Sequence, residues 1–120
     1  MHNFRELKIW QRSMDFVVEV YKLTKEFPAE EKFGLISQQR RSSVSIPSNI
    51  SEGAGRGTNP QFKHFLEISM GSCNEVITQL ELSYRLGFIS VENKDKLVDE
   101  ATQIYKMILG FHNSLKKSKY

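Results

Sequence analysis

The fold class this sequence predicts is all-α: an antiparallel up-down-up-down four-helix bundle whose second helix is kinked at Pro47. Three observations predict it. Apolar residues recur at helical spacing through four segments, and no segment alternates with period two for long enough to make a strand. The connections are only a few residues each, which packs consecutive helices as antiparallel neighbours. At 120 residues the chain reads as one domain, 1–120, long enough to bury a single core. Helices of about 20 residues or more make such a bundle ~30 Å or longer.

The first helix is read over 7–27. Leu7, Trp10, Met14, Val17, Tyr21 and Thr24 form one row in steps of three and four, and Ile9, Phe16, Val20, Leu23 and Phe27 form a second, about 100° round. Two rows imply burial against more than one neighbour. Pro28 closes this helix, because proline pushes the preceding residue away from helical geometry. The second helix starts after Glu30 and Glu31, whose charges suit the positive end of a helix dipole. Its apolar row is Ile36, Val44, Pro47, Ile50 and Ala54, its polar row is Arg41, Ser45, Ser48 and Glu52, and Gly53, Gly55 and Gly57 end it. An interior proline removes one backbone hydrogen bond at a cost of about 3 kcal/mol or more, so a kink at Pro47 is expected.

Thr58 to Gln61 matches a capping box, with Pro60 in the first turn where a missing N–H is harmless. The third helix then carries a heptad seam of Phe62, Leu66, Ser69, Cys73, Val76, Leu80 and Ser83. Its small members, with Gly71 and Ser72 beside them, let another helix come close. Leu86, Gly87 and Phe88 read as a glycine C-cap with its hydrophobic contact. Ser90 caps the fourth helix, whose seam is Leu97, Ala101, Ile104, Ile108, Phe111 and Leu115. Residues 116–120 read as a frayed basic tail.

Composition narrows the function classes. A hydrophobic fraction of 39% with 26% charged residues suits a globular chain and argues against disorder. No apolar run approaches the ~18 residues of a membrane helix, and the start, MHNFRELKIW, lacks the order of a signal peptide. The lone Cys73 has no internal disulfide partner, which favours a cytoplasmic location. A net charge of +3 and a pI of about 9.0 permit a polyanionic partner without requiring one.

Catalysis finds little support. His2, His64 and His112 are scattered, and none stands beside a nucleophile in sequence. Cys73 on the heptad seam reads as a small buried hydrophobe. A di-iron bundle needs carboxylates from all four helices and two inward Glu-x-x-His motifs. His64 and Glu67 give one such spacing, reversed and off the seam. The chain is therefore expected to be no enzyme, with no metal site and no cofactor. The GAGRG run lacks both the preceding strand of a dinucleotide fingerprint and the Gly-Lys-Ser/Thr of a P-loop. It reads as a helix-to-helix turn, with Arg56 and the N-terminus of the third helix offering at most an anion contact.

The basic residues are the candidate nucleic-acid contacts: Arg40 and Arg41 on the second helix, Arg56 in the turn, Lys63 on the third helix, and Lys116 and Lys117 in the tail. Phosphate contacts by such residues are salt-dependent and largely indifferent to sequence. Glu26, Glu30, Glu31 and Glu52 dilute the field near the same connections, and ion pairs within or between subunits compete for the same cations. Adjacent arginines on one helix point about 100° apart, so Arg40 and Arg41 are expected to have different partners.

The stretch FRELKIWQRSMDFVVEVYKLTKEFP, the pattern RR-x-x-VSIP-x-NI-x-EG within 40–53, and GSCNEVITQLELSYRLGFI together resemble a known family. It is the family of four-helix-bundle proteins encoded in intervening sequences of bacterial 23S rRNA genes, also called S23 ribosomal proteins. The resemblance covers nearly the whole chain. It implies a homo-oligomer, with five-fold barrels known, and no established enzymatic activity. The family is related to the accessory variability proteins of diversity-generating retroelements, which work with a reverse transcriptase and nucleic acid. Its molecular function is undefined, and the ribosomal label derives from gene location.

Carried onto this chain, the signature comprises Arg40, Arg41, Val44, Ser45, Ile46, Pro47, Asn49, Ile50, Glu52 and Gly53, assigned mainly to fold and assembly. Ser45 and Asn49 are expected to satisfy backbone groups freed by Pro47, and Arg41 and Glu52 to reach a neighbouring helix or subunit. Gln39, Ser42 and Ser43 stand where relatives carry more apolar residues, so the helix is expected to be wetter there.

The leading functional expectation is a non-catalytic homo-oligomeric bundle that binds RNA or other nucleic acid through a basic surface. The alternative is a protein-interaction scaffold that recruits an enzyme such as a reverse transcriptase or RNA-processing factor. Oligomerisation also follows from the residues, because two apolar rows on the first helix exceed what one slim bundle needs.

Overall fold

The structure is a computed structural model and describes residues 2–115. Four helices form it: α1 Lys8–Thr24, α2 Leu35–Ala54, α3 Asn59–Arg85 and α4 Val91–Ser114. Single 3-10 turns at Phe4–Glu6 and Ala29–Glu31 precede α1 and α2. There is no strand among the described residues. The molecule is a rod of 50 × 23 × 20 Å, so the helix axes set its long dimension.

Cross-helix contacts give the register. Between α2 and α3 the bonded pairs are Gln39 with Ser83, Ser42 with Glu75, Ser45 with Ser72, and Ile46 with Ser69. One number rises as the other falls, so the two helices run in opposite directions. Between α3 and α4, Phe62 packs on Phe111 and Glu81 pairs with Lys94, again in opposite order. α1 lies against α2 and α4, closing the ring of helices.

The caps follow the local chemistry. Thr58 Oγ1 accepts the Gln61 N–H at 3.3 Å, and Ser90 Oγ accepts that of Asn93 at 3.1 Å. At the end of α3, Gly87 takes φ +82°, a left-handed conformation that glycine reaches without a Cβ clash. The Phe88 N–H then reaches Ser83 O and the Gly87 N–H reaches Tyr84 O, both at 2.9 Å, a Schellman ending.

The seams of the third and fourth helices are buried as read, with Phe111 half-buried. Three expectations change. α1 stops at Thr24 rather than at Phe27. The Thr24 hydroxyl donates back to Val20 O at 2.8 Å, the chain tightens, and Phe27 turns inward to meet Phe88 with ring centroids 5.6 Å apart. In α2 the buried row includes Leu35, Gln39, Ser43, Ile46, Ile50 and Ala54, while Val44 is exposed. The polar residues at 39, 42 and 43 are therefore not wet. Gln39 Nε2 donates to Ser83 Oγ, Ser42 Oγ to Glu75, and Ser43 Oγ to Arg40 O.

The third change concerns Gly53, which lies inside the last turn of α2 rather than in the connection. A Cβ there would stand 2.8 Å from both Phe62 Cδ1 and Phe65 Cβ, so the start of α3 presses on that backbone. α2 continues across Pro47. Asn49 Nδ2 donates to Ser45 O at 2.8 Å and to Ser45 Oγ at 2.9 Å. The carbonyl that a proline at 47 deprives is that of Ser43, so this bond braces the next turn instead.

Candidate functional site: an apolar groove and a basic end

α1 carries two apolar rows and spends one of them. Ile9, Phe16, Val20 and Leu23 enter the core, whereas Trp10 and Val17 are half-buried and Met14 and Tyr21 are exposed. Val18 beside them is 51% exposed. Trp10, Met14 and Val17 form one wall of a groove, and Val44, Pro47, Ser48 and Ser51 of α2 form the other. Phe4 closes one end, its ring edge-on to Trp10 at 5.3 Å. At Val44 the groove runs into a second depression lined by Tyr21, Phe33, Ile36 and Ser37 together with Lys32, Arg40 and Arg41. Phe33 is 89% exposed.

Among the described residues, three cations and no carboxylate line this joined surface. Arg40 is committed within the chain. Its guanidinium lies 4.4 Å from the Tyr21 ring centroid, and Nε donates to Thr24 Oγ1 at 2.9 Å. Arg41, next in sequence, is exposed and has no acidic partner among the described residues. The two arginines therefore differ: Arg40 is held by Tyr21 and Thr24, and Arg41 stands free at the surface.

The other candidate contacts stand elsewhere. Arg56 pairs with Glu52 at 3.4 Å and lies over the Phe65 ring at 4.8 Å. Glu52 thus reaches its own helix end rather than another helix. Lys63, on the first turns of α3, is half-buried. Arg41 and Arg56 are fifteen positions apart, about 22 Å along a helix, so the cations make two groups and not one patch. The Phe62–Phe111 contact, 5.4 Å between centroids, brings the end of α4 to the α2–α3 turn. Leu115, the last described residue, follows there. Lys116 and Lys117 lie outside the described residues.

The signature residues divide between packing and surface. Ile46, Pro47, Ile50 and Gly53 are buried, Ser45 and Asn49 are half-buried, and Val44 and Glu52 are exposed. The groups with reactive chemistry are tied up. Cys73 is fully buried, and desolvation pushes its thiol up to about 12, which keeps it protonated. His112 Nε2 stands 2.8 Å from Glu67 Oε2, tying that carboxylate to α4. His2 packs edge-on to Phe62 and Phe111. No group of three or more His, Cys, Asp or Glu side chains is arranged to hold a metal among the described residues. No described helix is long and apolar enough to cross a membrane.

Sequence reasoning missed a polar clasp on the far side of α1. Arg12 donates from Nε and Nη2 to the two oxygens of Glu100 at 2.7 and 2.9 Å, and Nη1 lies 3.2 Å from Met107 Sδ. The hydrogen bond from Arg12 holds the Glu100 carboxyl below its ordinary range, and the same bond raises the guanidinium. The partners are 88 residues apart, so no local pattern announces them. Phe33 was missed too, although an aromatic residue one step before a helix-opening glycine was its available signal.

A family model described as 23S rRNA-intervening sequence protein matches residues 5–110. Among solved structures, the chain is similar to a protein of unknown function from the S23 ribosomal protein family of Bacteroides thetaiotaomicron. The TM-score is 0.82 and the identity 28%, over 88% of this chain and 96% of that one. A search of curated proteins finds no match.

Proposed function

The chain belongs to the 23S rRNA-intervening sequence protein family, and from that premise we propose that it is a non-catalytic, homo-oligomeric bundle that binds nucleic acid in the cytoplasm. The observation that carries the reading is the α1–α2 groove, a long apolar surface that one chain leaves to water. Contiguous exposed apolar surface of that kind marks an interaction site. The assembled form, five copies by the family resemblance, repeats the end that bears Arg56 and Lys63. Repetition offsets the weakness of each site, because linked sites gain by effective concentration. The buried Cys73 and the paired His112 support the non-catalytic half.

The test is mass by light scattering, combined with binding to structured RNA and duplex DNA across a salt series. An oligomer whose affinity falls steeply with salt is the expected result. Lys63→Gln with Arg56→Gln should weaken binding evenly across sequences. Binding indifferent to ionic strength, or none at low salt, overturns the nucleic-acid half. A scaffold that recruits an RNA-processing enzyme or reverse transcriptase uses the same groove. A wild-type chain that is monomeric alone, and captures such an enzyme after nuclease treatment, would favour that scaffold.

A further inference from the structure

We propose that the α1–α2 groove seats the outer face of α3 from a second copy of this chain, head to tail. This rests on the homo-oligomer reading and names its two contact surfaces. The groove is apolar and its rim is cationic, so its occupant must be apolar with a carboxylate. α3 offers that combination on the side turned away from the core. Ile68, Glu75 and Leu82 recur every seven residues, Leu86 follows four later, and all four are exposed. Residues at that spacing share one helix face.

Dimensions and charge agree. The strip runs over 18 residue steps, about 27 Å, and the α2 wall of the groove from Ile36 to Ser51 over 15 steps, about 22 Å. Gly71 lies within the strip, and a Cβ built there would meet nothing within 4 Å, so another helix has room to approach. Glu75 has no cationic partner among the described residues, and Ser42 Oγ holds it at 3.2 Å. Arg41 lacks an anion among the same residues. Each is the complement of the other.

The alternative of two grooves meeting about a twofold axis brings Lys32, Arg40 and Arg41 of both copies together. Like-charge juxtaposition of that kind disfavours an interface. Groove and strip are different surfaces, so their union is heterologous and adds copies until the ring closes.

Mixing separates the possibilities. Val44→Glu spoils the groove and Leu82→Glu the strip, and both side chains are exposed, so helicity by circular dichroism should be unchanged. Each variant is expected to run at 13.9 kDa. Mixed, they should form a 1:1 complex of twice that mass, because each retains the surface the other lost. Arg41→Glu and Glu75→Arg should each lower the oligomer mass, and the double exchange should restore it.

A mixture that stays monomeric overturns the pairing, as does a Leu82→Glu variant that remains a dimer. Variants that assemble like the wild type also overturn it and leave the oligomer reading standing. A wild-type chain that is itself monomeric at micromolar concentration removes both.

Discussion

The α2–α3 seam and the α1–α2 groove are made of the same residue types, serines and aliphatics at helical spacing, yet one is shut and the other open. In the seam, Ser69 Oγ donates to Ile46 O across the interface at 2.9 Å, Ser45 and Ser72 share a bond at 2.8 Å, and Gly53 admits Phe62 and Phe65. Small side chains there let two backbones approach, and each of these hydroxyls finds a partner, as most buried polar groups do. In the groove, Ser48 and Ser51 have equally small side chains but face Met14 and Val17 across a gap. Small residues close a surface only when the opposite helix supplies a ridge at the right height. Where it does not, they leave a seat.

The contrast breaks most visibly at a seam residue. Leu66→Ala, at a fully buried position, should lower stability by about 3 kcal/mol in urea denaturation. Val18→Ser on the open face should change the isolated chain by less than about 0.5 kcal/mol. Equal losses at the two sites would erase the distinction.

Gly53→Val comes next. Its side chain has no space beside Phe62 and Phe65, and overpacking of this kind costs about 2 kcal/mol. Unchanged thermal stability would mean that the start of α3 shifts freely.

A smaller effect sharpens the comparison from within the seam. Gln39 Oε1 is buried without a hydrogen-bond donor, while Ser83 keeps its own bond to Gln79 O at 2.7 Å. Gln39→Leu should therefore leave stability unchanged or raise it by about 1 kcal/mol, since an apolar replacement removes an unsatisfied group. A loss beyond about 2 kcal/mol would show that the amide fixes the register.

The smallest effect belongs to the Arg12–Glu100 clasp, whose side chains are 41% and 32% exposed. Solvent screening limits such a pair to below about 1 kcal/mol. Glu100 is held below its ordinary value of 4.5 in the fold. Its contribution is thus present above that pH and lost as pH falls through the lower folded value. Glu100→Gln should flatten that part of the acid limb and do little at neutral pH in high salt. An acid limb identical to wild type would show that the pair does not bind in solution.

Legibility in the sequence followed the range of the interaction. The seams of α3 and α4, the caps at Thr58 and Ser90 and the turn at Gly87 were readable, because each depends on residues within a few positions. The end of α1 was misplaced by a serine-like back-bond from Thr24 that competes with the proline signal at Pro28. The candidate cations are legible as residue types, and so is the divergence of Arg40 from Arg41, but not that Arg40 is the one stacked on Tyr21. That difference rests on where α1 crosses α2.

By itself the sequence determined the number of helices, most of their buried faces and the excess of apolar surface on the first of them. Those properties are set by period and composition, which the chain carries locally. Tertiary structure alone decided that Gln39, Ser42 and Ser43 lie inside, that Glu67 meets His112 and Arg12 meets Glu100, and that the excess surface becomes a groove with a basic rim. Burial of a polar side chain depends on finding a partner, and that partner comes from a helix whose register only packing fixes.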